Sequence, residues 1–198
     1  MSVPAIAVFC SGQGTNFQAI LDAIRRKRLR ARAAVMVTDN PAAFAVARAL
    51  RARVPAVVVP PVSFRSRAAF DRALARAVEK SGARLIVLAG FMRILSPWFV
   101  RRFQGRIVNV HPSLLPAFPG AHAVRDALRR RAKVTGVTVR LVDEQVDHGP
   151  VLAQARVPVR SGDTEDSLLV RIHRVEHRLY PQTIQQLLEN SKWPSRKR

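Results

Sequence analysis

Apolar positions follow two rules along this chain, and the two rules alternate. Short, nearly unbroken apolar runs at residues 3–9, 33–38, 57–59, 85–89 and 107–110 read as strands buried on both faces, as in a parallel sheet. The stretches between them carry apolar residues at helical spacing instead. In residues 16–28 these are Phe17, Ile20, Leu21 and Ile24. Residues 42–51, 67–80, 97–103 and 124–131 continue the pattern, with breaks at Asp39-Asn40-Pro41, Pro60-Pro61 and Ser81-Gly82. After residue 133 the alternation stops. Residues 134–142 and 151–159 read as two longer strands joined by a polar connection, so an antiparallel pair is expected. Residues 165–190 read as a closing helix or helix pair, broken or kinked at Pro181. The pattern predicts an α/β protein with a Rossmann-like mixed, mostly parallel sheet flanked by helices, a late antiparallel strand pair and a single domain. That domain is expected over residues 1–190, followed by a basic, mobile tail at 191–198.

Composition narrows the class. The chain has 198 residues, 48% of them hydrophobic, which suffices for one sizeable core. It has no apolar run of the roughly eighteen residues that a membrane span needs, and no basic segment precedes the first apolar stretch. A cytoplasmic protein with no membrane partner is the expectation. One cysteine, Cys10, cannot form an internal disulfide and reads as a buried strand residue, and no Cys/His spacing suggests a metal site. Charge is the unusual quantity: 34 Lys+Arg against 13 Asp+Glu give +21, with arginine supplying 29 of the cations. Such an excess suits a polyanionic partner. However, the clusters at 25–28 and 129–131 fall at expected helix C-termini, where cations are favourable, and no aromatics interleave with them for base stacking. A solvated basic surface is therefore the preferred reading, with nucleic acid disfavoured as a partner. Monomer and homodimer are both compatible with the sequence.

Three polar segments interrupt the pattern where chemistry could sit. Ser11-Gly12-Gln13-Gly14-Thr15-Asn16 follows the first strand and opens the first helix. Its glycines allow a tight turn, and the free amides of a helix start favour a phosphate. Phe17 stands where the dinucleotide fingerprint has its third glycine, so one phosphate is expected rather than a pyrophosphate. The plainer alternative is a strand-to-helix turn capped by Asn16 or Thr15. Asn109 and His111 lie two apart at the end of a buried strand, so both point to one side at the sheet edge where open α/β folds place ligands. An amide donor beside an imidazole can polarise a carbonyl while a proton moves. The loop Asp143-Glu144-Gln145-Val146-Asp147-His148-Gly149-Pro150 could fold a carboxylate back onto His111, orienting it and favouring its protonated form. Taken alone it could equally be a solvated turn, as Glu176-His177 could be an exposed ion-pair face and Arg67 a surface charge.

Together the segments resemble the folate-dependent formyltransferase family over nearly the whole chain. The resemblance is carried by the 11–16 loop, Leu88-Ala-Gly-Phe-Met-Arg-Ile-Leu95, Asn109-Val-His-Pro-Ser-Leu-Leu-Pro116, Asp147-His-Gly-Pro150, and Glu176-His177 with Tyr180-Pro181. It implies transfer of a formyl group from 10-formyltetrahydrofolate, as cosubstrate, without a metal. Chain length and the closing-helix residues match the purine-biosynthesis branch, whose acceptor is the amine of 5-phosphoribosylglycinamide. The resemblance further implies that Asn109, His111 and Asp147 are catalytic, with Asn109 and His111 stabilising a tetrahedral intermediate and Asp147 supporting His111. Gly14, Thr15 and Asn16 would hold the substrate phosphate, and His173 and Glu176 its ribose and glycinamide part. Arg67, Met92, Arg93, Ile94 and Leu95, with Asp143, Glu144, Gln145 and Val146, would line the folate side. Relatives that hydrolyse formyltetrahydrofolate or formylate a tRNA share a similar trio but carry a further domain. From a different class, an inactive basic nucleic-acid-binding protein would reveal itself by steeply salt-dependent tRNA binding. His148 stands where the family frequently has glycine, which puts the backbone beside the folate pocket in question.

Overall fold

Strand β1 (Ala5–Phe9) is apolar and buried at every position, and it lies inside a seven-stranded sheet of order β3-β2-β1-β4-β5-β6-β7. The computed structural model describes residues 3–190; the tail expected at 191–198 lies outside the described residues. From β1 the chain passes through α1 (Thr15–Arg25), β2 (Arg32–Thr38), α2 (Ala45–Arg51) and β3 (Ala56–Val58), building outward to one edge. A 3-10 turn at Pro61–Ser63 and helix α3 (Arg67–Ser81) then carry it back past β1. Strand β4 (Leu85–Leu88) pairs with β1 on its other side, parallel. After α4 (Pro97–Arg102), strand β5 (Ile107–His111) adds parallel to β4. Helix α5 (Ala123–Arg129) precedes β6 (Val134–Leu141) and β7 (Val151–Pro158), which pair antiparallel as expected from the missing helix between them, and α6 (Glu165–Glu189) follows.

The sheet reverses its winding between β1 and β4, and the loops leaving the C-terminal ends of those strands diverge there. That is where open α/β sheets bind ligands. Helices cover both faces. On one, Phe17 and Ile20 of α1 and Leu168, Ile172, Tyr180 and Ile184 of α6 pack on Ile6, Val8, Val87 and Val108. On the other, Phe70, Leu74 and Val78 of α3 and Phe99 of α4 pack on Ala7, Phe9, Ile86 and Ile107. Each fully buried valine, leucine, isoleucine or phenylalanine among these contributes about 1.5–3 kcal/mol before chain entropy is set against it.

The expected break at Pro181 does not divide the closing helix. Helix α6 is one element with Pro181 inside it. Proline removes one backbone hydrogen bond, but Leu168 and Ile172 before it and Ile184 after it are buried in the same core, which holds the helix together across it. Its start carries a capping box between Thr164 and Ser167.

Candidate functional site

Strand alternation decides which side chains leave β5 in which direction. Val108 and Val110 enter the core shared with α6, so Asn109 and His111 point to the opposite face. On that face Asn109 sits beside Arg140 and His111 beside Thr138, their partners in β6. Thr138 secures the segment that follows His111: its hydroxyl donates to the Ser113 carbonyl at 2.7 Å and accepts from the Leu115 amide at 3.0 Å.

The loop after β6 folds back over this face. Asp147, held at φ 55, places Oδ2 3.5 Å from Nδ1 of His111 and Oδ1 2.8 Å from a guanidinium nitrogen of Arg140. The Gly120 amide donates to the same Oδ2 at 2.7 Å. Nε2 of His111 lies 2.9 Å from the Phe118 carbonyl, which can only accept, so Nε2 carries a hydrogen. Nδ1 then faces a carboxylate, a contact that is attractive when the ring is an imidazolium. Burial pushes the Asp147 carboxyl pKa up, but the Gly120 amide, His111 and Arg140 together outweigh it and leave it below the usual range. The side chains of His111, Asp147 and Arg140 are all less than a tenth exposed. Asn109, half-buried beside them, makes no side-chain hydrogen bond among the described residues, so its amide is free to donate.

The glycine loop lies two strands over, beyond β4. Gly14, not Thr15 or Asn16, is the N-cap of α1; it adopts φ 66, and no side chain caps the helix. The amides of the first turn therefore stay open. Only glycine fits here, because a Cβ would lie 2.9 Å from that of Ala45. Asn16 reaches across instead and donates to Glu176 at 2.8 Å. Glu176 is consequently not on an exposed ion-pair face: it is buried, with His173 4.0 Å away. Burial raises its carboxyl pKa, opposed by the Asn16 hydrogen bond and by the charges of His173 and His111.

The expected folate-side residues divide. Arg67 is not a free surface charge, because it binds the buried Asp71 and donates to the Ile94 carbonyl, fastening α3 to the 91–95 segment. The Met92 amide donates to the Ser11 hydroxyl at 2.8 Å, and Arg93 pairs with Asp39 at 2.8 Å, so this segment is also tied to the glycine loop. Met92, Ile94 and Val146 are exposed, whereas Leu95 is buried. Glu144 is drawn to Arg101 at 2.8 Å and Asp143 to His148 at 2.8 Å, while the Gln145 amide donates to Asp143. His148 itself points to solvent. The tight backbone approach falls on Gly149, where a Cβ would lie 2.1 Å from the Leu141 carbonyl.

The residue that sequence reasoning missed is Arg140. Its signal was present: the one charged residue of β6, on a strand otherwise made of valine, threonine, glycine and leucine, facing the same side as Asn109. Among the described residues, no group of three or more His, Cys, Asp or Glu side chains is assembled for a metal ion. Among the described residues, no helix is long and apolar enough to cross a membrane.

Comparison with known proteins places the chain as a whole. The phosphoribosylglycinamide formyltransferase of Bacillus subtilis (strain 168) is 42% identical over 182 residues, covering 92% of this chain and 93% of that protein. The Escherichia coli (strain K12) protein of the same name is 39% identical over 195 residues, covering 95% and 92%. The crystal structure of glycinamide ribonucleotide transformylase 1 from Geobacillus kaustophilus superposes with a TM-score of 0.91 at 48% identity, covering 94% of this chain and 100% of that one. The model of the formyl transferase family matches residues 5–184, a span that holds the glycine loop, β5 with its histidine, the Asp147 loop and Glu176; the chain belongs to that family.

Proposed function

We propose that this enzyme transfers a formyl group from 10-formyltetrahydrofolate to the amine of 5-phosphoribosylglycinamide, with residues 1–190 as the catalytic domain. The observation that carries the reading is the unengaged Asn109 amide beside the buried His111–Asp147–Arg140 chain. The names of the relatives in B. subtilis and E. coli point to the same acceptor.

The substrate amine adds to the formyl carbon, and the carbonyl oxygen becomes an oxyanion. Asn109 donates a hydrogen bond to that oxygen, and the positive charge of His111 stabilises it. Asp147 supports that charge from 3.5 Å, while Arg140 keeps Asp147 ionised and in position. As the tetrahedral adduct collapses, the bond from carbon to the folate nitrogen breaks. The proton lost by the amine passes to that nitrogen, through His111 or a water. Free amides at Gly14, Thr15 and Asn16 suit the substrate phosphate, because a helix N-terminus favours an anion. Glu176, fixed by Asn16 and flanked by His173, accepts hydrogen bonds from the ribose and glycinamide end. A pterin presents flat apolar faces and a polar edge, which match exposed Met92, Ile94 and Val146 beside the backbone of 92–95 and 143–146.

Calorimetric titration with 5-phosphoribosylglycinamide tests the acceptor side. Asn16→Ala and Glu176→Gln should each weaken binding about tenfold or more, the scale of a lost charge-assisted hydrogen bond, whereas Asn109→Ala should bind normally and turn over about 10²–10³-fold more slowly. Normal turnover by Asn109→Ala would remove it from the chemistry.

A further inference from the structure

A cavity of about 560 Å³ runs between α1 and α6, away from the Asn109–His111 face. Arg26, Arg28, Arg48, Arg174 and Arg178 line it, with His177 on its α6 wall and Ala19, Ala23 and Pro181 forming apolar floor. Thr15 lies at one end and Arg26 at the other, about 17 Å apart at the rise of an α-helix.

Like charges gathered in this way repel one another, and the groove supplies little to neutralise them. Its one carboxylate, Asp22, is engaged by Arg25 at 3.3 Å and by Gln18 at 3.1 Å. Arg48 is spent on the Gln13 carbonyl and the Gln18 side chain. Among the described residues, Arg26, Arg28, Arg174 and Arg178 pair with no carboxylate. Helix-end placement accounts for Arg26, the C-cap of α1, but not for Arg174 and Arg178, which lie mid-helix one turn apart. A further polar atom is waiting: Nε2 of His177 is buried without a hydrogen-bond partner among the described residues.

We propose that this groove is a second anion site that takes the phosphate chain of a small polyphosphate ligand. Unpaired guanidinium groups are suited to phosphate oxygens, since each offers a planar fork of donors at fixed spacing. A cavity of this volume lies within the range of small-molecule sites and exceeds what a single phosphate fills. The groove shares Thr15 with the glycine loop, so a ligand occupying its full length excludes the phosphate of the acceptor substrate. That last consequence rests on the function proposed above; the binding itself does not.

The test is direct binding of inorganic tripolyphosphate, orthophosphate and a nucleoside triphosphate to the intact protein, by calorimetry at two salt concentrations. Tripolyphosphate should bind at least tenfold more tightly than orthophosphate, and affinity should fall with salt. Exposed Arg26→Gln and Arg178→Gln together should weaken it at least tenfold, with urea melts showing that the protein remains folded. Tighter binding of the nucleoside triphosphate would assign its nucleoside to the apolar floor; equal binding would assign the site to the phosphate chain alone. Equal affinity for orthophosphate and tripolyphosphate, or unchanged affinity in the double variant, would overturn the proposal. A kinetic arm separates the two readings: tripolyphosphate should raise KM for 5-phosphoribosylglycinamide without lowering kcat. Binding without that competition would uphold the groove and place the bound phosphates clear of Thr15.

Discussion

Replacing Asp147 by asparagine preserves the shape of the side chain and removes its charge. Two consequences follow from its surroundings, and they have different sizes. For stability, Arg140 is 4% exposed and would lose its counter-ion. Removing one partner of a buried pair costs about 3–5 kcal/mol, and the asparagine oxygen can still accept one bond, so the low end applies. A domain holding roughly 5–15 kcal/mol survives that loss. For catalysis, a full charge 3.5 Å from an imidazolium is worth about 4–5 kcal/mol at an effective dielectric near 20. Arg140 shares the carboxylate, so about half is available, and kcat should fall roughly 30- to 70-fold. The assay is kcat with both substrates saturating, beside urea melts of the same preparation. An additional Arg140→Met change should restore stability but not rate, because it removes the orphaned charge without replacing the carboxylate. The stability difference should also depend on pH. The folded pKa of Asp147 lies below its ordinary value, so the unfolded chain takes up the proton first as pH falls. The wild-type advantage is then complete above the ordinary carboxylate range and disappears below it. A folded Asp147→Asn enzyme with kcat within about threefold of wild type would refute the reasoning.

Three further outcomes are expected. Glu176 carries a raised pKa because of its burial, so the folded form holds its proton longer than the unfolded chain does; as pH rises above about 4.5, wild type should lose stability relative to Glu176→Gln, and a gap constant with pH in urea melts would contradict this. Gly14→Ala forces a side chain into φ 66 and against Ala45; it should cost more than about 1–2 kcal/mol and raise KM for the phosphorylated substrate more than it changes kcat. Tyr180→Phe removes a fully buried hydroxyl that lies 3.0 Å from the Leu88 carbonyl and 2.9 Å from the Val108 carbonyl; it should lower the urea midpoint by the equivalent of about 1–3 kcal/mol with m and kcat unchanged.

Much of the fold was legible because burial on both faces writes itself as unbroken apolar runs. The five parallel strands and the late antiparallel pair follow from 85–88, 107–111 and their like. Whether Pro181 divides the closing helix or lies within it depends on packing against the sheet, which no local pattern records. At the site, Asn109 and His111 could be placed together from strand alternation alone. Asp147 could not, since its approach depends on a loop folding back across the face of β5 and β6. Glu176 was read in isolation as a solvated charge because its partner, Asn16, is 160 residues away. The plainer alternative, a turn capped by Asn16 or Thr15, does not hold because Asn16 spends its side chain on that distant carboxylate instead of on its own helix.

The most direct test of the central claim is consumption of a 10-formylfolate donor, followed by absorbance, with and without 5-phosphoribosylglycinamide. The account predicts consumption only when the acceptor is present, with formylated product formed in equal amount. Consumption without the acceptor would instead make the protein a hydrolase. No consumption under either condition would contradict the assignment of Asn109, His111 and Asp147 altogether.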